Sequence, residues 1–292
     1  MDASARTSFV IASRNRADEL ATTVTRLLDS TQCPIIVVDN GSEDDSVAVM
    51  NRIAARAGGR LQVLRLNDNR GAVGRNVGVE ACRTPYVAFC DDDSWWVPEA
   101  PAIGAELFDS HPSVGLLAAR TIVWPQRRED PMADLLANSP LGRRRDLPGP
   151  SILGFMCCSA MVRKQAFEAT GGFSDILHFR GEEQLLAVDM AALGWDLCYC
   201  PELTAIHQPS SVRASTAAQD ARALRNKVLT TWMRRPARHC LRATGALLSA
   251  AFRDREYARG AAEAIRLLPA VVTERRALPA TVEQALAVLD SQ

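Results

Sequence analysis

The chain has 292 residues, enough for one large domain, or one domain with a helical appendage, and for a sizeable buried core. Lys plus Arg number 34 and Asp plus Glu number 34, so no global field points to nucleic acid or to an acidic partner, and anion recognition must be local. The polar opening from Met1 to Thr7 lacks an apolar signal core, and no stretch approaches the ~18 apolar residues of a membrane span, so a soluble or peripheral protein is expected.

Ser8 to Ala12 is the first of four short, unbroken apolar runs, followed by Pro34 to Val38, Leu61 to Leu66 and Tyr86 to Cys90. Their branched residues predict strands buried on both faces of a parallel sheet. Helical patterns lie between them. Leu20, Val24, Leu27 and Leu28 share one face after a predicted Asn15 cap, Val47, Met50 and Ile53 stripe a second helix after Ser42, and a third runs through Val77 to Cys82. This alternation predicts a right-handed α/β layer fold.

Ligands in such sheets bind beyond the carboxyl ends of the strands, where the polar residues of this chain collect. Ser13, Arg14 and Asn15 follow the first run, Asp39, Asn40, Gly41 and Ser42 the second, and Asp91, Asp92 and Asp93 the fourth. Gly71, Gly74 and Gly78 surround Arg75 and Asn76. A turn explains Asn40 to Ser42 as readily as binding does, and close helix packing explains the glycines, but joint placement on one cleft favours function. Three carboxylates at a strand end repel one another unless a cation or hydrogen-bond donors offset the charge, which predicts a divalent metal and phosphate handling. Alternatively the acids lead into a helix signalled by Pro98 and Glu99.

From Pro125 to Pro150, arginines 127, 128, 143, 144 and 145 stand among prolines and acids without periodicity; a loop over the site and a solvated insertion both remain open. Glu182 and Glu183 open a helix carrying Leu186, Met190 and Leu193, either as dipole-complementing acids or as a general base. His207 ends a strand-like run from Leu203 to Ile206, as a ligand or as a structural residue. The eight cysteines form no Cys-x-x-Cys pair, and Cys90, Cys157, Cys158, Cys198 and Cys200 lie in apolar runs. Buried thiols in a reducing, cytoplasmic setting are expected. From Gln219 onward the chain reads as Arg- and Ala-rich helices, with Leu224, Val228, Leu229 and Trp232 on one face of the first. Arg234, Arg235, Arg238 and Arg242 near Leu247 and Leu248 leave two settings open: a lid packed on the rest of the chain, or peripheral contact with anionic lipid at the inner membrane face.

The Asp39 to Ser42 turn, the Gly74 to Gly78 segment and the aspartate run followed by Trp95, Trp96 and Pro98 resemble the donor half of family 2 glycosyltransferases of the GT-A fold. Arg163, then Gly171, Gly172 and Phe173, then Gly181, Glu182 and Glu183, then Gly194, Trp195, Pro201, Glu202 and His207 resemble its acceptor half in order and spacing. The likeness runs from Thr7 to His207. It implies a Rossmann-like, mostly parallel sheet with helices on both faces, forming a catalytic domain over residues 1–215 (donor half 1–120, acceptor half 121–215), and a C-terminal helical region over 216–292.

The resemblance implies transfer of a hexosyl or deoxyhexosyl group, with inversion, from a nucleotide diphosphate sugar to a hydroxyl of a glycan, lipid-linked or small-molecule acceptor, with Mg2+ or Mn2+. Carried over residue by residue, Asp39 would hydrogen-bond the base, favouring UDP or dTDP. Ser13, Arg14, Asn15, Asn40, Gly41, Ser42, Gly71, Arg75, Asn76 and Asp92 would complete the donor site. Asp91 would lie near the ribose and join Asp93 and His207 at the metal, while Trp95 and Trp96 either stack on a sugar or pack in the core.

The family pattern at the helix opening is usually glutamate then aspartate, with the second acid as base. Here Glu183 stands in that place, one methylene longer, so both Glu182 and Glu183 remain candidates. A further family acid two places on is replaced by Leu185, so different acceptor contacts are expected. A sugar-phosphate nucleotidylyltransferase would need a Gly-rich loop, and a Rossmann oxidoreductase a Gly-x-Gly-x-x-Gly turn, where Ser13-Arg14-Asn15-Arg16 stands. A non-catalytic nucleotide-sugar-binding module is the remaining alternative.

Overall fold

The structure, a computed structural model, describes residues 5–210 and 215–291. Its strands are β1 (Thr7–Ser13), β2 (Ile35–Asp39), β3 (Leu61–Arg65), β4 (Tyr86–Cys90), β5 (Ser94–Trp96), β6 (Val114–Val123), β7 (Arg128–Glu129), β8 (Ala160–Arg163) and β9 (Asp196–His207). Helices α1 (Ala17–Ser30), α2 (Ser46–Ala54), α3 (Val73–Ala81), α4 (Ala100–Ser110), α5 (Pro131–Ala137), α6 (Lys164–Thr170) and α7 (Glu182–Ala192) intervene. The C-terminal part is α8 (Thr216–Arg234), α9 (Ala237–Ala251), α10 (Arg255–Arg266), α11 (Leu268–Thr273) and α12 (Ala280–Leu289).

One sheet runs β3-β2-β1-β4-β8-β6-β9-β5, with β7 on β6. The expected parallel arrangement holds for β1 to β4, whereas β8 is antiparallel to both β4 and β6, so the sheet as a whole is mixed. Successive residues of β1 and β2 face opposite layers. Phe9, Ile11, Ile35 and Val37 enter one core, and Val10, Ile36 and Val38 the other, as two-faced burial requires. The third run departs from expectation: β3 is the edge strand and only Leu61 is fully buried there.

The second departure is β5. The acids do not lead straight into a helix; three residues after β4 the chain re-enters the sheet beside β9, Ser94 opposite His207, and α4 begins later. The four Cα steps from Cys90 to Ser94 span at most about 14 Å, whereas four strand spacings across a flat sheet are roughly 19 Å. The sheet therefore curls, bringing the aspartate run and the end of β9 together.

Asn15 does not cap α1. It adopts φ 54° and its Oδ1 accepts the Glu43 amide, while Asp44 before α2 and Ser46 at its first position accept the amides of Ala17 and Arg16. The loops after β1 and β2 thus fold as one unit. The boundary expected at residue 120 falls inside β6, so the two halves share a continuous sheet. The tract from Pro125 to Pro150 contains β7 and α5, with Ala133, Leu136 and Leu147 buried, so it is anchored rather than purely solvated.

The C-terminal helices bury Val228, Leu229, Met233, Leu247 and Leu286 against Leu177, Leu185 and Val188. Each such side chain stabilises the packing by roughly 1.5–3 kcal/mol. Among the described residues no helix is long and apolar enough to cross a membrane. The eight cysteines are free thiols, seven of them buried.

Candidate active site

The carboxyl ends of β1, β2 and β4 carry the predicted polar loops to one place. Asn40 N donates to Ser13 O at 2.8 Å, and Ser42 Oγ accepts the Asn15 amide at 2.9 Å. Asp39 is buried at the bottom of the turn, where its Oδ2 accepts the Ser42 amide at 3.1 Å. Arg14 lies over this turn, reaching Gly41 O and Glu43.

The three aspartates diverge, each with its own partner. Asp91 Oδ1 meets Arg75 Nη2 at 2.5 Å, Asp92 Oδ2 accepts Ser13 Oγ at 2.8 Å, and Asp93 Oδ2 accepts the Ser210 amide at 3.0 Å. Each carboxylate thus has a donor of its own, while Asp91 and Asp93 still repel the Asp92 charge. Burial is the chief force on Asp92, raising its pKa to about 6 against the opposing bond from Ser13.

Asp93 Oδ1 lies 3.5 Å from His207 Nε2, which pairs one carboxylate with one imidazole where β9 meets β5. Among the described residues no three His, Cys, Asp or Glu side chains converge on one point, so a closed protein cage is excluded there. A hard cation that takes one or two protein ligands and completes its shell with phosphate oxygens and water fits such a pair.

Arg75 joins the two halves. Its guanidinium is 4% exposed, with Nη1 at 3.9 Å from Glu182 Oε1 on the far side from Asp91. Glu182 is 2% exposed, and its Oε2 has no hydrogen-bond partner among the described residues. Burial, reinforced by the neighbouring Glu183, pushes its pKa up against the pull of Arg75. Glu183 is also pushed up by burial, offset by amides including that of Cys157, but its side chain is only partly covered. Of the two acids, Glu183 is the less buried.

Several predicted residues are committed elsewhere. Asn76 spends both ends of its amide on the Phe173 backbone, at 2.9 Å each, so it pins the Gly171–Gly172 turn instead of contacting a donor. Asn40 Nδ2 holds Gly71 O at 2.9 Å. Gly71, at φ 58°, packs so closely on His178 that a Cβ would come within 2.1 Å of its carbonyl oxygen. Trp96 is 1% exposed and donates to Phe89 O, which removes it from any sugar face. Trp95 packs on the core with the Arg26 guanidinium 3.9 Å over its ring.

Sequence reasoning missed Asn226 and Arg225 of α8, which touch the loop before Glu182. Asn226 Nδ2 contacts Leu177 O, Phe179 O and Arg180 O at 2.9, 3.0 and 2.6 Å. No local signal marks such a residue, because its partners lie more than forty positions away.

The model of the family described as "Glycosyl transferase family 2" matches residues 8–171, more than half of the chain. The pre-mycofactocin glycosyltransferase of Mycobacterium tuberculosis is 32% identical over 215 residues, 68% of this chain and 42% of that protein. The UDP-Glc:alpha-D-GlcNAc-diphosphoundecaprenol beta-1,3-glucosyltransferase of Escherichia coli is 33% identical over 93 residues, 31% of this chain and 36% of that protein. The matches span less than half the length of these curated relatives. Among solved structures, a mannosyltransferase from Pyrobaculum calidifontis in complex with GDP-Man and Mn2+ aligns with a TM-score of 0.62 at 16% identity, covering 98% of this chain and 79% of that one. TarS of S. aureus, residues 1–349, gives 0.57 at 16% identity, covering 77% and 65%. At such identities these likenesses speak for the fold alone.

Proposed function

The chain belongs to glycosyl transferase family 2 and has the GT-A fold, and from that premise we propose that it moves a hexosyl or deoxyhexosyl group from UDP or dTDP to an acceptor hydroxyl, with inversion. The observation that carries this reading is Arg75, whose buried guanidinium joins Asp91 at the donor loops to Glu182 at the opening of α7. The contact puts the proposed donor-side acid and an acid of the proposed acceptor side beside one guanidinium.

Asp39 accepts the imide N–H of uracil or thymine, since a carboxylate offers only acceptors. Asp93 and His207 would hold Mg2+ or Mn2+, the latter being the ion in the complex of the Pyrobaculum enzyme. When bound, such an ion neutralises charge on the diphosphate leaving group. Glu183 takes the proton of the acceptor hydroxyl as that oxygen attacks the anomeric carbon opposite the diphosphate. Glu182, closed in beside Arg75, has its pKa pushed up to about 8 by burial and by the neighbouring Glu183, so at neutral pH it stays protonated and leaves the base role to Glu183. Turnover of a panel of UDP-, dTDP- and GDP-sugars with Mn2+ tests the assignment, and binding of a donor without transfer or slow hydrolysis would favour the non-catalytic module.

For the acceptor we favour a lipid-linked glycan at an anionic membrane surface. On α9, Leu241 and Leu248 point to solvent in line with Phe252, which is 91% exposed, and Arg238, Arg242 and Arg253 flank them. Co-sedimentation with phosphatidylcholine vesicles with and without phosphatidylglycerol tests this. Binding that needs the anionic lipid and is lost in Phe252→Glu supports it, and equal indifference to both vesicles refutes it.

A further inference from the structure

The base-bearing helix α7 begins on a strained loop. His178, Arg180 and Gly181 adopt φ of 62°, 77° and 80°, so two non-glycine residues lie in the left-handed region immediately before Glu182. Gly181, in the N-cap position, offers no side-chain cap. Such a backbone persists only where its surroundings over-determine it.

Two contacts do so. On the donor side, His178 O accepts the Ala72 amide at 2.6 Å, at the start of the helix that carries Arg75. On the opposite side stands Asn226, 0% exposed on α8. Its Nδ2 serves the carbonyls of Leu177, Phe179 and Arg180, and its Oδ1 accepts Arg225 Nε and Nη2 at 2.9 and 2.7 Å. Three carbonyls demand a donor and a guanidinium demands an acceptor, so this amide has one usable orientation. Arg225 reaches Leu177 O as well and is itself held by Glu263 of α10.

We propose that Asn226, locked by Arg225, is a positioning residue for the transfer reaction: it fixes the left-handed loop from Leu177 to Gly181 and thereby aims the Glu183 carboxylate. The C-terminal helices are then part of the catalytic apparatus. The inference rests on the assignment of Glu183 as base.

Asn226→Asp is the discriminating variant, because it keeps the oxygen facing Arg225 but turns a second oxygen toward three carbonyls. With the nucleotide sugar that the native enzyme turns over, kcat should fall roughly tenfold to a hundredfold with donor affinity nearly unchanged, the signature of a displaced catalytic group. Hydrogen exchange should rise over Leu177 to Glu183 and stay native in β1 and β4. Arg225→Lys, which frees the amide to rotate, should show a smaller change in the same direction. Native kcat in a folded Asn226→Asp variant overturns the proposal, as does a loss of kcat and donor affinity in parallel with a loss of folded protein in both variants. A native enzyme that turns over no nucleotide sugar overturns instead the reading on which the proposal stands.

Discussion

Arg75 Nη2 lies 2.5 Å from Asp91 Oδ1, an ion pair between a buried guanidinium and a carboxylate that keeps a third of its surface exposed. Arg75 is almost fully buried, so its charge is supported by Asp91 and, at 3.9 Å, by Glu182. Removing one partner from such an arrangement leaves uncompensated charge in a poorly hydrated place.

Arg75→Met should therefore lower the unfolding free energy by roughly 3 kcal/mol, the lower end of the range for a broken buried pair, because Asp91 keeps some access to water. Urea denaturation measures it. A loss below about 1 kcal/mol, the scale of surface pairs, would mean that the pair contributes little to the fold.

Metal dependence should follow the Asp93–His207 pair and not the aspartate run as a whole. EDTA should abolish transfer, and Asp93→Asn or His207→Ala should weaken Mn2+-dependent UDP binding while lowering turnover at least roughly a hundredfold. Calorimetry with and without Mn2+ separates this from general damage. Full turnover in chelator would sink the metal assignment.

The acid pair at α7 predicts a pH dependence whose sign is fixed by burial. Glu183 is pushed above the ordinary glutamate value of about 4.3, so kcat/KM should fall with decreasing pH at higher pH than an exposed glutamate would dictate. Arg75 is the charge that opposes this rise, so Arg75→Met should move the acid limb to still higher pH; a move to lower pH would contradict the pairing. Stability follows the same sign. A folded-state value raised above the unfolded one gives a contribution that is complete below the unfolded value and is lost as pH rises through the folded one. Relative to the parent, Glu182→Gln should gain Tm as pH rises.

The parallel half of the fold was legible because burial on both faces leaves a continuous apolar run, as in Phe9 to Ile11 and Val87 to Cys90. The loops at the strand ends were legible for the same reason, since polar residues there can only face the cleft or one another. What could not be read was the choice between those two outcomes. Asn76 and Asn40 look like ligand contacts in sequence, yet both satisfy distant backbone groups, because a buried loop must bond its own amides and carbonyls before it can bind anything else. The strand β5 was hidden for a different reason. Ser94 to Trp96 is too short to show a period, and its pairing with β9 depends on the curl of the whole sheet.

Nucleotide choice should follow Asp39. Its Oδ2 is taken by the Ser42 amide, which fixes the carboxylate plane at the base of the turn. UDP or dTDP should bind more tightly than GDP in calorimetry, and Asp39→Asn should cost roughly tenfold or more in affinity, since a bond to a charged acceptor is worth about 1.5–3 kcal/mol. Tighter binding of GDP than of both pyrimidine diphosphates would count decisively against the assignment.

The base and the stereochemistry are tied to each other. Glu182 is enclosed beside Arg75, whereas Glu183 is the more exposed of the two, which is why the proposal gives Glu183 the acceptor hydroxyl. One displacement with one base inverts the anomeric centre, because the hydroxyl enters opposite the departing diphosphate. Glu183→Gln keeps the size and polarity of the side chain but cannot take a proton. It should preserve donor affinity while lowering kcat roughly a hundredfold or more, the usual scale for a lost general base. NMR of the first-formed product reads the stereochemistry before any anomeric exchange. Retention of the donor configuration would refute single displacement, and a near-native rate in the Gln variant would transfer the role to Glu182.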